Sequence, residues 1–173
     1  MAQNKNLPQL KLKRNDLENL PPIELPVGFT LRHFVDGDER AWERLVLGIG
    51  VCNFNESIRN HRFFKPERVK FICFNDEPVA TATAWLDENN ETVGYVHMVG
   101  ANSEYKGKGL GYQVTNAVLH HMKTEGKISA ALATDDFRLP AIKIYLKLGF
   151  LPELTHESHY ERWQTVYEKL GMR

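Results

Sequence analysis

Hydrophobic residues along the 173-residue chain follow two spacings, which predict two kinds of element. Apolar runs and alternating apolar and polar positions predict β-strands, whereas apolar residues every three or four positions predict α-helices. The predicted strands cover residues 29–34, 69–74, 79–86, 92–101, 128–134 and 150–154. Short turn sequences join the second, third and fourth of them, which favours an antiparallel meander.

Helical spacing occupies much of the remaining sequence. It covers residues 42–49, 110–122, 141–148 and 159–170, and a further short helix is predicted over 55–64. Asp36 or Asp38 can cap the first of these helices, and Asp136 can cap the one that begins near Pro140. Gly126 and Gly149 stand where helices commonly end.

The order of these elements indicates the fold class. It reads β-α-α-β-β-β-loop-α-β-α-β, which predicts a mixed α/β (α+β) fold in a single domain over residues 27–173, with a helical C-terminal segment. Residues 1–26 are polar and contain four prolines, so they are predicted to form a loosely ordered N-terminal lead-in. Lys11, Lys13 and Arg14 in this lead-in are expected to be solvated.

Charge and cysteine content narrow the class of protein. The 22 basic and 22 acidic residues balance, so the charge does not predict binding to nucleic acid or to an anionic membrane. No stretch approaches the roughly 18 apolar residues of a membrane span, and the first residues lack the apolar core of a secretion signal. Cys52 and Cys73 fit neither a metal site nor a disulfide scaffold, so we expect a cytoplasmic protein without a bound metal.

A glycine-rich segment, Tyr105–Gly111, lies between the fourth predicted strand and the helix over 110–122. Gly107, Gly109 and Gly111 stand at alternate positions, so the backbone can approach a ligand closely. The helix that begins here directs unpaired N–H groups and its positive dipole end at the same ligand. The segment therefore predicts a pyrophosphate-binding turn.

Two other nucleotide-binding patterns fit this segment less well. A Walker loop requires Gly-Lys-Ser or Gly-Lys-Thr, but Lys108 is followed by Gly109 and Leu110, so no hydroxyl is available for magnesium. A dinucleotide-binding loop requires Gly-x-Gly-x-x-Gly early in a βαβ unit. Here the spacing is Gly-x-Gly-x-Gly, and it follows an antiparallel meander.

The segment resembles the glycine loop of the GNAT superfamily of N-acetyltransferases, in which Arg or Gln, two residues, Gly, one residue, and Gly or Ala follow one another. Lys106–Gly111 matches that pattern with Lys in the first position. A second family signature, a helix that carries a Tyr and ends in Leu-Gly-Phe, is similar to Ala141–Phe150. The resemblance extends over roughly residues 29–154.

The resemblance implies a mostly antiparallel sheet with flanking helices, in which a central pair of parallel strands splays apart. Acetyl-CoA would be the cosubstrate, and its pantetheine arm would lie in the gap against the main chain of Val99, Gly100 and Ala101. The diphosphate would be held by the amides of Gly107, Lys108, Gly109, Leu110, Gly111 and Tyr112, with added charge from Lys106 and Lys108.

The resemblance also implies catalytic roles for two residues. Tyr145 stands at the general-acid position of the second signature, where its phenol could protonate the departing thiolate. His97 stands at the offset from the glycine loop where arylalkylamine acetyltransferases carry a histidine of a proton relay. The strand period of two is expected to direct His97 and Val99 to the same face, and imidazole titrates near neutral pH. Glu88, Glu91 and Asp135 are alternative bases.

The chain departs from the family pattern at two points. Arg138 replaces an Asn that commonly hydrogen-bonds the pantetheine arm, so Arg138 could contact cofactor phosphate, bind an acidic acceptor, or pair with Asp135–Asp136. The family often ends in a β-hairpin that lines the acceptor site, whereas residues 159–170 here predict a helix. The acceptor pocket is therefore expected to be unusual.

These residues together predict an acetyl-CoA-dependent N-acetyltransferase in which an amine attacks directly within a ternary complex. The expected acceptor is a small-molecule amine, an amino acid or a peptide N-terminus, and the protein is expected to be a monomer or a homodimer. The alternative is a CoA-binding regulatory or interaction module that keeps the fold without turnover.

Overall fold

A seven-stranded sheet runs through residues 7–172, the part of the chain that the computed structural model describes. Its strands are β1 (Leu10–Arg14), β2 (Phe29–His33), β3 (Val69–Phe74), β4 (Glu77–Asp87), β5 (Asn90–Ala101), β6 (Ser129–Thr134) and β7 (Leu151–Glu153). They lie in the order β2-β3-β4-β5-β6-β1-β7, and each described pairing is antiparallel except that of β5 with β6. The predicted mixed fold is confirmed.

The parallel pair separates along its length. β5 pairs with β6 only from Val93 opposite Ser129 to Tyr95 opposite Ala131. Beyond this point β5 continues to Ala101 and β6 to Thr134 without pairing to each other. The edge of β5 that faces β6 is thus free of a strand partner, which confirms the predicted splay.

Four α-helices flank the sheet: α1 (Glu39–Val46), α2 (Leu110–Thr124), α3 (Leu139–Lys147) and α4 (His159–Leu170). The last of them is the predicted C-terminal helix. Ile49 lies beyond the end of α1, and the helix predicted over 55–64 is reduced to a π-helical turn over Asn55–Arg59. Short 3-10 turns cover Pro66–Arg68 and Ser103–Tyr105.

None of the three candidate carboxylate caps bonds to its helix, and Asp36 pairs with Arg59 instead. Asp38 is the N-cap residue of α1, but its carboxylate accepts hydrogen bonds from Arg32 and from the Val35 N–H. Asp136 pairs with Arg162 of α4, and Arg138 is the N-cap residue of α3. Charged partners from other elements therefore compete successfully with the helix N–H groups for these carboxylates.

Two apolar clusters lie on opposite faces of the sheet. The helical cluster joins the sheet to α2, α3 and α4 through residues such as Val114, Ile142 and Trp163. The aromatic cluster joins it to α1 and the π-helical turn through Phe34, Trp42, Phe54, Phe71 and Trp85. Burial of these large side chains is the main stabilising contribution to the fold.

The prediction of a loosely ordered lead-in over residues 1–26 is wrong for residues 10–14. They form β1, which lies between β6 and β7 and buries Leu10 and Leu12 completely. Residues 1–6 lie outside the described residues. Arg14, expected to be solvated, donates hydrogen bonds to the carbonyl oxygens of Leu148 and Asp16.

The chain that follows β1 is held against α2. The Asn116 amide donates to the Pro21 carbonyl at 2.9 Å, and the His120 ring contacts the same oxygen at 2.9 Å. The Glu24 N–H donates to the side-chain oxygen of Gln113. Prolines in this stretch lack N–H donors, and their carbonyls are satisfied by side chains of the helix instead.

Candidate active site

The glycine segment forms an exposed turn that ends at the first residue of α2. Gly107 and Gly109 have φ angles of 83° and 73°, in the left-handed region, and Gly109 is the N-cap residue of the helix. Within residues 7–172, the amides of Gly107, Gly109, Leu110, Gly111 and Tyr112 donate no hydrogen bond, whereas that of Lys108 donates to Tyr105 at 3.3 Å. Five amides at the positive end of a helix are therefore available to an anion.

A cleft of about 300 Å³ opens where β5 and β6 separate. Tyr95, His97 and Val99 line it from β5, and Arg138 and Tyr145 line it from the N-cap and body of α3. A neighbouring cavity of about 500 Å³ shares Ile49, Val99 and Arg138 with the cleft, and extends past Gly100 and Ala101 toward the end of α1. The structure thus brings the two predicted catalytic residues together in the predicted gap.

Tyr145 is 7% exposed and packs edge-on against Phe150, with ring centroids 6.1 Å apart. Burial raises the pKa of its phenol to about 12, and the positive charge of Arg138 opposes that increase. Its hydroxyl makes no hydrogen bond to the rest of residues 7–172, although it lines the cleft. The hydroxyl therefore remains protonated at neutral pH and is free to donate to a ligand.

His97 stacks on Trp85 with ring centroids 5.7 Å apart and belongs to the aromatic face of the sheet. Val99 packs against the helical cluster on the opposite face. The prediction that both point to one face is wrong because β5 contains a bulge. Thr81 of β4 lies opposite Gly100 and Thr83 lies opposite His97, so two residues of β5 stand opposite one residue of β4. The first of these two residues, Met98, has a φ of 51°. One extra residue reverses the alternation.

We expect His97 to stay neutral through physiological pH, contrary to an imidazole that titrates near neutrality. Burial, reinforced by the charge of His61, lowers the pKa of His97 to about 4. Because this folded-state pKa lies below the ordinary 6.5, protonation favours the unfolded chain. The contribution to stability is full above about pH 6.5 and is lost as the pH falls toward 4. An NMR titration of the ring signals, assigned with His97→Gln, measures this; a midpoint near 6.5 would contradict it.

The remaining predicted residues are distributed around the cleft and the loop. Lys106 and Lys108 are exposed and form no ion pair with a described residue, so their side chains can approach a bound anion. Among the alternative bases, Asp135 lines the cleft, whereas Glu88 pairs with His61 at 3.5 Å and neither Glu88 nor Glu91 lines the two cavities described.

The sequence did not identify Gln9 as a residue of the site. Gln9 immediately precedes β1, lines the cleft and donates to Asp135 at 3.0 Å. The alternation of Leu10 and Leu12 with Lys11 and Lys13 is a strand pattern that could have indicated this, but the surrounding prolines and charges favoured a loose segment.

Two kinds of feature are absent from the described part of the chain. Over residues 7–172, no three His, Cys, Asp or Glu side chains are grouped so that they could hold a metal ion. None of the described helices is both long and apolar enough to cross a membrane.

Comparison with known proteins places these features in context. A sequence model described as the acetyltransferase (GNAT) family matches residues 32–150. A curated mycothiol acetyltransferase of Thermomonospora curvata is 30% identical over 161 residues, which cover 87% of this chain and 53% of that protein. A mycothiol acetyltransferase of Actinosynnema mirum is 35% identical over 164 residues, covering 82% and 51%. The chain thus spans about half the length of these curated relatives.

A solved structure supports the fold independently. The GCN5-related N-acetyltransferase from Sphaerobacter thermophilus superposes with a TM-score of 0.67 over 85% of this chain and 50% of its own. The two sequences are 24% identical, so this likeness concerns the fold alone.

Proposed function

This chain belongs to the acetyltransferase (GNAT) family, and on that premise we propose that it transfers the acetyl group of acetyl-CoA to a primary amine. One observation carries the proposal. β5 forms one side of a cleft that contains Tyr145 and His97, and the same strand leads into a turn with five unpaired amides. These are the two parts that acyl transfer from a diphosphate-containing thioester requires.

The cofactor would be held mainly by backbone groups. The unpaired amides from Gly107 to Tyr112 suit the diphosphate, and Lys106 and Lys108 add positive charge at the rim of the turn. The free edge of β5 at Val99, Gly100 and Ala101 offers main-chain groups to the pantetheine arm. Bound in this way, acetyl-CoA supplies an activated acyl group.

Side chains in the cleft would donate and accept the protons that the reaction transfers. The protonated phenol of Tyr145 would donate to the departing sulfur, and N–H groups of β5 near Val99 would polarise the thioester carbonyl. His97 has the neutral ring that accepts a proton, though its pKa of about 4 makes it a weak base that would act through water. Asp135 also lines the cleft, but both of its carboxylate oxygens accept hydrogen bonds from Gln9 and Arg138, so it is the weaker candidate for this role.

The acceptor would be a small amine. The name of the curated relatives indicates a small-molecule acceptor for those proteins, and the cleft of about 300 Å³ suits a ligand of that class. Thiol release from acetyl-CoA in the presence of a panel of amines tests the activity. A CoA-binding module without turnover would bind CoA and release no thiol above background, which would refute the proposed reaction.

We expect Gly109→Ala to weaken CoA binding by about tenfold, or roughly 1.4 kcal/mol. A β-carbon in the left-handed conformation is strained, and relief of that strain would rotate the neighbouring amides away from the diphosphate. Gly126→Ala is the matched control, because Gly126 lies at the other end of α2 with a φ of 79° and equally open surroundings. Calorimetric titration with CoA measures both variants, and equal affinities would contradict a diphosphate seat in this turn.

A further inference from the structure

Arg138 lies where the cleft and the larger cavity meet, since it lines both of them. Its guanidinium lies 5.1 Å from the centroid of the Phe137 ring, and its Nε donates to Asp135 Oδ2 at 3.0 Å. Neither terminal nitrogen donates a hydrogen bond to any residue between 7 and 172. The planar end of the side chain therefore remains available to a ligand.

A chain of hydrogen bonds fixes this orientation. Asp135 uses one carboxylate oxygen for Arg138 and the other for the Gln9 amide, which donates at 3.0 Å. Gln9 is followed directly by β1, which is paired on both sides in the sheet. Gln9 is thus a positioning residue that connects Arg138 to the rigid sheet through Asp135.

The charges around the cleft identify what Arg138 can bind. Among the described residues that line the cleft, Arg138 is the only cation, and the only anion is Asp135, whose two oxygens are already hydrogen-bonded. Tyr145 and His97 are uncharged at neutral pH. Arg138 also influences the pKa of the Tyr145 phenol, so its charge acts at the reacting end of the cleft.

We propose that the acceptor carries a carboxylate beside its amine, and that the terminal nitrogens of Arg138 bind this carboxylate. The proposal rests on the proposed acetyl transfer and specifies its substrate class. A guanidinium matches a carboxylate with two parallel hydrogen bonds, whereas it has no acceptor for the amide N–H groups of a pantetheine arm. The turn from Gly107 to Tyr112 lines neither cavity, so the diphosphate seat is separate from Arg138.

Matched pairs of free amino acids and their carboxamides test this inference with acetyl-CoA as donor. Each pair shares the side chain, but the amide also has a lower amine pKa, so the rates are compared per unprotonated amine. We expect kcat/KM to be about 10- to 100-fold higher for the acids, which is less than for a fully buried charge pair because the Arg138 side chain is 24% exposed. Arg138→Gln should remove this preference by raising KM for the acids, with CoA affinity unchanged.

Three further variants sharpen the test. Arg138→Lys keeps the positive charge but loses the paired donors of the guanidinium, so it should retain part of the preference for acids over amides. Gln9→Ala should reduce this preference without abolishing it. Arg40→Gln replaces an exposed arginine of α1 that lines neither cavity, and should change nothing.

The outcomes separate this inference from the proposed function. Equal kcat/KM for acids and amides, or weaker CoA binding in Arg138→Gln with the preference intact, would overturn the carboxylate site. If the protein acetylates neither member of any pair, binding of the same acids to the CoA-saturated protein is measured by calorimetry. Equal affinity of the acids for the wild type and for Arg138→Gln would then overturn the carboxylate site. Failure of CoA itself to bind would instead refute the proposed function.

Discussion

Tyr145→Phe is expected to lower kcat by about 10-fold or more with little change in the affinity for CoA, since general acid catalysis contributes roughly 10²–10⁴. The variant removes only the hydroxyl. The ring keeps its edge-on contact with Phe150 and its burial in the helical cluster. Because the phenol has a pKa of about 12 and no partner within the described residues, its proton has no evident structural use. The expected loss is therefore confined to the transition state.

Single-turnover measurements with enzyme in excess of acetyl-CoA assign the fall in kcat to the chemical step, because their rate does not include product release. Tyr160→Phe is the control, since Tyr160 is 62% exposed on α4. An unchanged single-turnover rate in Tyr145→Phe would remove this residue from the mechanism, while an altered melting temperature would indicate a packing role for the hydroxyl.

The site elements that the sequence predicted correctly are those set by local chemistry. The glycine turn and α2 follow from the spacing of Gly107, Gly109 and the apolar positions of the helix, all within twenty residues. The position of Tyr145 in the gap between β5 and β6 followed from a resemblance to a family whose two signatures are both present. In each case the information lies in a short, contiguous pattern.

The features that the sequence did not predict depend on distant partners. β1 forms a strand because it pairs with β6 on one side and with β7 on the other, and Leu10 and Leu12 are buried there. Both partners lie more than a hundred residues further along the chain. The five residues of β1 include three cations, which favour solvent when considered alone. Pairing with two neighbours supplies the backbone hydrogen bonds and the burial that outweigh this local preference.

The bulge in β5 has the same origin and a larger consequence for the site. Tyr95, His97 and Val99 stand at every second position of the sequence, as in a regular strand. The pairing register of β5 with β4 nevertheless changes between Thr81 and Thr83. As a result His97 contacts Trp85 on the aromatic face while Val99 remains on the other. The strand therefore directs the His97 and Val99 side chains to opposite faces of the sheet, although both residues line the cleft.

The N-terminal strand also bears on how the acceptor pocket is built. Within the described residues, β7 is followed by α4 and not by a hairpin partner, and the antiparallel neighbour of β7 is β1. Gln9 enters the cleft from this strand and reaches Arg138 through Asp135. The segment predicted to be loose thus contributes directly to the proposed acceptor site.

Gly100→Ala is expected to destabilise the protein by about 3 kcal/mol, at the upper end of the cost of overpacking. A β-carbon at this position would lie 2.2 Å from the carbonyl oxygen and 2.7 Å from the carbonyl carbon of Leu45. These are backbone atoms of α1, so relief requires the whole helix to move from β5. The melting temperature should fall by roughly 6–12 °C.

Two other glycines turn this expectation into a graded series, measured by urea denaturation. A β-carbon at Gly94 would lie 2.4 Å from Met122 Sδ, which is part of a flexible side chain, so Gly94→Ala should cost less than Gly100→Ala. Gly48 has nothing within 4 Å, and Gly48→Ala should be nearly neutral.

Because Gly100 also lines the larger cavity, displacement of α1 in Gly100→Ala should weaken CoA binding as well as the fold. A Gly100→Ala variant as stable as Gly48→Ala would mean that α1 and β5 do not make this backbone contact. The larger cavity between them would then have a different shape.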